Sequence, residues 1–234
     1  MGDILLALGE AARLIGRFDA NLVAIVALSL EVSLAAVVIA TVIGLPVGAV
    51  IGVTRFPGRP TLIAVLNGLM GLPPVVVGLL VYLLLSRAGP LGQLGLLFTP
   101  PAMVIAQAIL VAPIIAALSR QVIEDAWREY EEQLRSLGAG PVASALTLIW
   151  DTRFSIVTIV LAGFGRAAAE VGAVIIVGGN IDGVTRVMTT AIALETSKGD
   201  LPLALGLGII LVSLVLAINA AAHWVKETAQ RRYG

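Results

Sequence analysis

The chain has 234 residues, of which 59% are hydrophobic and 13% are charged, and its formal net charge is zero. Ordinary soluble domains are about 45–50% apolar and about 25% charged, so a soluble fold of this size could not bury so much apolar surface. Zero net charge without a basic arm argues against nucleic-acid binding, and the lack of cysteine excludes disulfides and cysteine-based metal sites. We therefore expect an all-α, polytopic membrane protein in a lipid bilayer.

Residues 1–18 predict a short helix lying at the membrane surface. Apolar residues recur there at helical spacing, namely Ile4, Leu5, Leu8, Ala12 and Ile15. The segment also contains Asp3 and Glu10 and has no cleavage-like site. A secretory signal peptide is therefore not expected.

Five later segments are long and apolar enough to cross a bilayer, for which about 20 mostly apolar residues are needed. They are Leu22–Val53, Leu62–Leu85, Ala102–Leu118, Phe154–Val177 and Leu201–Trp224. The sequence shows no internal repeat, so an inverted-repeat secondary transporter has no positive support.

Polar and helix-breaking residues inside the spans are candidates for function. Glu31 lies in the first span, where it either snorkels or pairs with a polar neighbour, and the flanking Ser29 and Ser33 are typical of hydrogen bonds between helices. Pro73 and Pro74 interrupt the second span. Interrupted helices are tolerated at membrane depth where they line a cavity or are buried in protein. This break therefore predicts either a lining of the transport pathway or plain helix packing.

The distribution of lysine and arginine predicts the orientation of the chain. With five spans, one side receives Arg55, Arg59, Arg120, Arg128, Arg135, Arg153, Lys226, Arg231 and Arg232. The other side receives Arg13, Arg17, Arg87, Arg186 and Lys198. The excess places the C-terminus in the cytoplasm and the N-terminus outside, with Arg13 and Arg17 opposing that assignment.

The polar stretch between the third and fourth spans, residues 119–153, predicts two short cytoplasmic helices around a turn. In the first, Glu124 and Asp125 lie near the start, and an apolar stripe is formed by Trp127, Tyr130, Leu134 and Leu137. Gly138-Ala139-Gly140-Pro141 is typical of a helix stop followed by a helix start. The second helix has the stripe Val142, Ala145, Leu146 and Ile149. The stretch is either a connector or an amphipathic element that docks into a soluble partner.

The run Glu132-Gln133-Leu134-Arg135-Ser136-Leu137-Gly138 resembles the cytoplasmic EAA loop of binding-protein-dependent ABC importer permeases. Glu132 takes the glutamate position and Leu137-Gly138-Ala139 matches the later part, whereas Gln133 and Leu134 depart from the two alanines. Many family members have Leu-Pro further on, where this chain has Trp150-Asp151. The resemblance implies that an ATP-hydrolysing subunit docks on roughly Glu129–Leu148, with candidate contacts at Glu132, Leu134, Leu137, Gly138 and Ala139.

A second set of motifs, spread over most of the chain, is similar to the permeases of tungstate importers. The longest run is Gly163-Phe164-Gly165-Arg166-Ala167-Ala168-Ala169-Glu170-Val171-Gly172-Ala173. It is followed by Val177-Gly178-Gly179-Asn180-Ile181 and by Thr185-Arg186-Val187-Met188-Thr189-Thr190-Ala191-Ile192. Earlier, Gly71-Leu72-Pro73-Pro74-Val75-Val76-Val77-Gly78-Leu79 fits the same family. The related molybdate and sulfate permeases share a looser form of this pattern.

Arg166 and Glu170 lie four residues apart inside the fourth predicted span, so we expect them to share one helix face. Each is costly in hydrocarbon, which makes it a candidate for function. They either form a structural pair that locks helices together, or line the pathway with Arg166 assisting an oxyanion and Glu170 setting a gate. Because a bare carboxylate repels a dianion, Glu170 would then be neutralised by Arg166 or lie off the permeation line.

The segment after the fourth predicted span is rich in neutral hydrogen-bonding groups. Gly178-Gly179-Asn180 ends the span, Asp182-Gly183 is typical of a turn, and Thr185, Thr189 and Thr190 follow. Hydroxyl and amide donors suit weak binding of a tetrahedral oxyanion, so these threonines and Asn180 are pathway candidates. Alternatively, the segment is an external loop that receives the binding protein.

The resemblance implies a single permease domain over residues 1–234 that works with partners. Two copies would form a pathway at their interface, ABC ATPase subunits would dock on residues 119–153, and an extracytoplasmic oxyanion-binding protein would deliver cargo. The chain has no Gly-rich Lys-Ser/Thr phosphate loop, so we expect no enzyme activity, no metal site and no cofactor here, with ATP and Mg on the partner subunit. Molybdate and sulfate are the alternative cargoes, and a self-sufficient anion carrier or channel is the alternative from another class.

Overall fold

The structure is a computed structural model that describes residues 20–233 together with Gly9, Arg13 and Gly16. Apart from those three residues, the predicted surface helix over residues 1–18 lies outside the described part of the chain. From residue 20 onward the chain forms nine α-helices and a short 3₁₀ helix, Gly92–Leu94. The α-helices are α1 Ala20–Val53, α2 Arg59–Leu69, α3 Pro74–Leu85, α4 Pro100–Ser136, α5 Pro141–Asp151, α6 Arg153–Ala168, α7 Gly172–Gly178, α8 Met188–Lys198 and α9 Leu201–Tyr233. The predicted all-α class is confirmed.

Three of the described helices are long and apolar enough to cross a membrane: Ala20–Val53, Pro100–Ser136 and the Leu201–Trp224 part of α9. The number rises to five if the pairs α2 with α3 and α5 with α6 are each counted as one bent span. The first predicted span ends at Val53 as expected. The second is broken between Leu69 and Pro74, which confirms the interruption predicted from Pro73 and Pro74.

The third predicted span and the first predicted cytoplasmic helix are one helix, α4, of 37 residues. The expectation of a separate short helix starting near Glu124 is therefore wrong, and Glu124 and Asp125 lie in the interior of α4 rather than near a helix start. A helix can leave the bilayer without a break, since its backbone hydrogen bonds are satisfied internally in lipid and in water alike. The turn after α4 is as predicted: Gly138 has a φ of 72°, and α5 begins with a proline.

The fourth predicted span is also broken, since α6 ends at Ala168 and α7 begins at Gly172. Glu170 lies in the connection, so the expectation that it shares a helix face with Arg166 is wrong. The physical reason is local: the Glu170 carboxylate accepts a hydrogen bond from the Ala173 backbone N–H at 3.0 Å. This side chain competes with the helical backbone pattern and favours a new helix start.

The residues group into two compact units. The first contains residues up to Ala35, Pro74–Gln107 and Ala168–Ala221, and the second contains Ala36–Pro73, Ala108–Ala167 and residues from Ala222 onward. The longest helices, α1, α4 and α9, each contribute to both units.

Two sets of helices pack closely in the first unit. One is the pair α3 and α7, and the other is α1 with α8 and α9. A methyl group built on Gly78 would lie 2.8 Å from the Ala173 Cα, so α3 and α7 contact each other through their backbones. A second cluster of buried side chains consists of Leu22, Met188, Ala191 and Leu207. These contacts flank the connection between α7 and α8, which carries Asn180 and Thr185, and the first turn of α8, which carries Thr189 and Thr190.

The second unit is organised by a glycine seam, defined here as Gly44, Gly48 and Gly52 of α1. A methyl group on Gly44 would lie 2.7 Å from the Ala112 carbonyl oxygen, one on Gly48 would overlap the Ala116 carbonyl oxygen, and one on Gly52 would lie 3.2 Å from the Arg120 carbonyl oxygen. The four-residue spacing therefore brings the α1 backbone against α4, as small residues do in membrane helix pairs. Beside the seam, α5 packs on both helices in a cluster of Ala49, Val53, Ile123, Trp127, Ala145 and Leu148.

We expect Gly48→Ala to destabilise the protein by about 1–3 kcal/mol, the usual cost of overpacking a tight contact. Gly165→Ala is the matched control, because a methyl group there meets nothing within 4 Å. The control should be neutral, or should stabilise by up to about 1 kcal/mol through helix propensity. Thermal unfolding of both variants in the same detergent measures the difference, and equal melting temperatures would contradict the seam.

Candidate functional site

The helix α5 carries two apolar faces rather than the single predicted stripe. Ala145 and Leu148 are buried in the second unit. Val142, Leu146 and Trp150 are exposed, and we call these three residues the exposed α5 face. The predicted grouping of Ala145 with Leu146 is wrong because the two side chains lie on different sides of the helix. An exposed apolar face rimmed by polar residues is typical of a protein–protein contact.

The five predicted docking residues lie at the end of α4 and in the turn before α5. Leu134 is partly buried against the second unit's core, whereas Glu132, Leu137 and Gly138 are exposed and Ala139 is half-buried. A groove of about 180 Å³ opens beside them, lined by Tyr130, Gln133, Leu134, Leu137, Thr147, Leu148 and Asp151. Of the five predicted docking residues, Leu134 and Leu137 line this groove together with three residues of α5, and a docking role for all five stays a prediction.

Beside the docking region, one carboxylate binds three arginines. Glu124 of α4 forms ion pairs with Arg120 at 2.6 Å, Arg59 at 2.9 Å and Arg128 at 2.9 Å. Arg59 also donates from Nε to the Ile51 carbonyl oxygen at 3.0 Å, which ties the start of α2 to the end of α1. Sequence reasoning missed this cluster, because Arg59 and Glu124 are distant in the chain and only the i,i+4 partners can be recognised from spacing.

In the first unit, a small buried cavity is lined by polar side chains from α1, α4, the α6–α7 connection and α8. Its polar lining residues are Ser29, Ser33, Gln107, Glu170 and Thr189. The Ser29 hydroxyl accepts a hydrogen bond from the Met188 N–H at 2.7 Å, and the Thr189 hydroxyl donates to the Glu170 carbonyl oxygen at 2.8 Å. The space is about 10 Å³, enough for about one water molecule. In this conformation it does not admit a tetrahedral oxyanion.

The predicted polar loop between α7 and α8 is held by its own hydroxyls. Thr185 donates to the Gly178 carbonyl oxygen and accepts from the Ile181 N–H, and Thr190 exchanges hydrogen bonds with the backbone of Val187. Asn180, with a φ of 51°, donates to the Thr190 carbonyl oxygen at 3.4 Å. Since α8 begins at Met188, Thr185 and Thr189 do not lie on one helix. These hydroxyls shape the loop, and their predicted role in a pathway stays a prediction.

The other pathway candidates fall in different parts of the fold. Arg166 is half-buried near the end of α6, and Glu170 is buried in the α6–α7 connection. Pro73 precedes α3 and Pro74 is its first residue. Whether these four residues line a pathway stays a prediction.

A cleft of about 140 Å³ in the first unit is lined by the start of α1 and by the α7–α8 loop. Its lining residues are Asn21, Ala24, Ile25, Leu28, Asp182, Gly183, Val184 and Arg186. Only 19% of the Arg186 side chain is exposed, and its Nη1 lies 2.9 Å from the Asp182 Oδ1. The sequence placed Arg186 among the loop charges and in a family motif but gave it no role of its own, because nothing in its immediate sequence predicts that an arginine in a loop is buried.

No protein-family model matches the chain, but individual proteins match nearly all of it. The tungstate uptake system permease protein TupB of Peptoclostridium acidaminophilum is 42% identical over 217 residues, covering 93% of this chain and 95% of the relative. The probable anion ABC transporter permease protein of Haloferax volcanii is 41% identical over 218 residues, covering 91% of this chain and 94% of the relative. The molybdenum transport system permease protein ModB of Escherichia coli K12 is 32% identical over 220 residues, covering 89% of this chain and 95% of the relative. The chain therefore belongs to the permease family of anion ABC transporters.

Proposed function

We propose that this chain is the membrane permease subunit of an ATP-driven importer of tungstate. The observation that carries the proposal is the 42% identity with a tungstate uptake permease over 93% of this chain. Identity falls to 32% with the molybdenum permease and to 30% with a sulfate permease of Synechocystis. Molybdate and sulfate are accordingly the second and third candidates.

The docking region supports the coupling of this permease to an ATPase. The exposed α5 face is apolar and follows the turn at Gly138 in the chain, and the groove beside Leu137 is lined by Thr147, Leu148 and Asp151 of the same helix. An amphipathic helix that fits a groove of a soluble partner has this distribution of apolar residues. In the proposed orientation this region is cytoplasmic, where ATP with Mg would bind to the partner ATPase.

The transport cycle that we propose uses two copies of the chain. Closure of two ATPase subunits on ATP displaces α5, and the α5 packing on Ala49, Val53 and Ile123 passes that displacement to α1 and α4. The pathway at the interface of the two permeases then switches sides. An extracytoplasmic oxyanion-binding protein delivers the cargo on the opposite face of the membrane.

Reconstitution of the assembled transporter in vesicles tests this function. We expect tungstate uptake that needs ATP, the ATPase subunit and the loaded binding protein, with molybdate and sulfate as weaker competitors. A Gly138→Arg permease should lose uptake and ATPase co-purification, because the substitution adds bulk at the docking turn and places a side chain on a backbone with a φ of 72°. Uptake by the permease alone would instead indicate a secondary carrier, and preferred uptake of another oxyanion would reassign the cargo.

A further inference from the structure

The cleft beside Arg186 contains a buried cation whose hydrogen-bonding capacity is only partly used. The Arg186 Nη1 binds the Asp182 carboxylate, whereas its buried Nε–H has no hydrogen-bond partner among the residues that the structure describes. A buried charged donor without an acceptor is costly. The Nε atom is closed off in this conformation, so an acceptor that enters from outside the chain would bind the part of the guanidinium that lines the cleft.

The chemistry of the Arg186 guanidinium determines which kind of acceptor it favours. Arginine presents parallel N–H groups in a planar fork, which matches two oxygens of one oxyanion. The guanidinium is also recessed, so a small anion can reach it more easily than the broad surface of a protein can.

The size of the cleft agrees with this chemistry. Its volume is about 140 Å³, against about 10 Å³ for the cavity beside Glu170. One water molecule needs about 10–15 Å³ of such space, so the cleft holds several waters or one tetrahedral oxyanion, whereas the cavity holds about one water. Of these two polar spaces in the first unit, only the cleft can accept the cargo in this conformation.

We propose that Arg186 binds the cargo oxyanion in this cleft, as an entry site on the extracytoplasmic side of the permease. The proposal rests on the proposed function for the identity of the cargo and for the orientation. Asp182 is a built-in competitor: its side chain is 74% exposed, so it can leave Arg186 for solvent when an anion arrives and return when the anion departs. Such competition keeps binding weak and release fast, which a permease requires.

Direct binding of tungstate to the full-length permease in lipid nanodiscs tests the proposal without the ATPase or the binding protein. Equilibrium dialysis with elemental analysis gives the dissociation constant. We expect saturable binding that weakens at least tenfold in Arg186→Gln, less in Arg186→Lys, which keeps the charge but loses the fork. Asp182→Asn should bind severalfold more tightly, because it removes both the competitor and a like charge beside the anion.

Arg87→Gln is the matched control, since Arg87 is an exposed arginine on the same predicted side of the membrane. It should bind tungstate like the unmodified protein. Unchanged binding by Arg186→Gln, or no saturable binding by the unmodified permease, would overturn the site. So would an Arg186→Gln permease that binds tungstate normally and loses only its association with the loaded binding protein.

The same measurements separate this site from the proposed function. Tungstate uptake by the assembled transporter without tungstate binding by the permease would contradict the entry site and leave the proposed function intact. Binding of another oxyanion through Arg186, with no uptake of tungstate, would leave the site standing and reassign the cargo. Size-exclusion profiles of each variant, and the gain of affinity expected for Asp182→Asn, distinguish loss of the site from loss of the fold.

Discussion

Glutamine in place of Glu124 is expected to lower the free energy of unfolding by about 3 kcal/mol, the lower end of the cost of breaking a buried ion pair from one side. The side chains of Glu124 and Arg120 are each 14% exposed, so Arg120 would keep its charge in a site with little water. Arg59 and Arg128 would lose the same counter-charge. The measurement is a reversible denaturing-detergent titration of the purified permease, together with its yield in membranes.

Asp125→Asn is the control for this experiment because it removes the neighbouring carboxylate of the same helix. The Asp125 side chain is 66% exposed, and its oxygen lies 3.9 Å from Arg128. An exposed pair of this kind contributes at most about 1 kcal/mol, so the control should unfold almost like the unmodified protein. Equal stability of the Glu124 and Asp125 variants would show that the three-arginine cluster contributes no more than surface charges do.

Trp150→Ala is expected to weaken association with the ATPase subunit by about 30-fold or more, the effect of losing about 2 kcal/mol at an interface hot spot. Trp150 is the largest side chain of the exposed α5 face, and 72% of it is exposed. Its ring is covered only by the Arg153 guanidinium, 5.0 Å from the ring centroid, among the ring and cation contacts of the described residues. Permease stability should therefore change little while co-purification of the ATPase falls.

Trp224→Ala provides the matching substitution outside the docking region. Trp224 lies in α9 and is 70% exposed, so its removal takes away a similar area of apolar surface. This variant should retain the ATPase subunit. If both tryptophan variants retain it, or both lose it, the exposed α5 face is not the docking surface.

The sequence predicted those features that depend on local chemistry. The end of the first span at Val53, the break before Pro74 and the glycine turn at Gly138 all appear in the structure. Each depends on hydropathy, on the missing N–H of proline or on a backbone conformation that glycine tolerates. The resemblance to oxyanion permeases was likewise carried by contiguous motifs, and the family assignment is confirmed.

Features that depend on distant contacts could not be predicted. Periodicity cannot show that α4 runs without a break from the third predicted span into the polar stretch, because the 3.6-residue pattern is the same in both. The residues from Arg166 to Glu170 have high helix propensity, which predicts a continuous helix. In the structure the Glu170 carboxylate instead accepts a hydrogen bond from the Ala173 N–H, and a new helix begins there. The association of Arg59 with Glu124 and the burial of Arg186 also depend on elements far apart in the chain.

The glycine seam determines the mechanical stiffness of the second unit. At Gly44 and Gly48 the nearest atoms of α4 are backbone atoms, so little side-chain freedom lies between α1 and α4 there to absorb a displacement. Because α5 packs on both helices through Ala145 and Leu148, a force applied to α5 is expected to move α1 and α4 together. A conformational change during transport would then occur mainly outside the seam. A displacement of α5 by an ATPase would be passed to α1 and α4 with little change in their mutual packing.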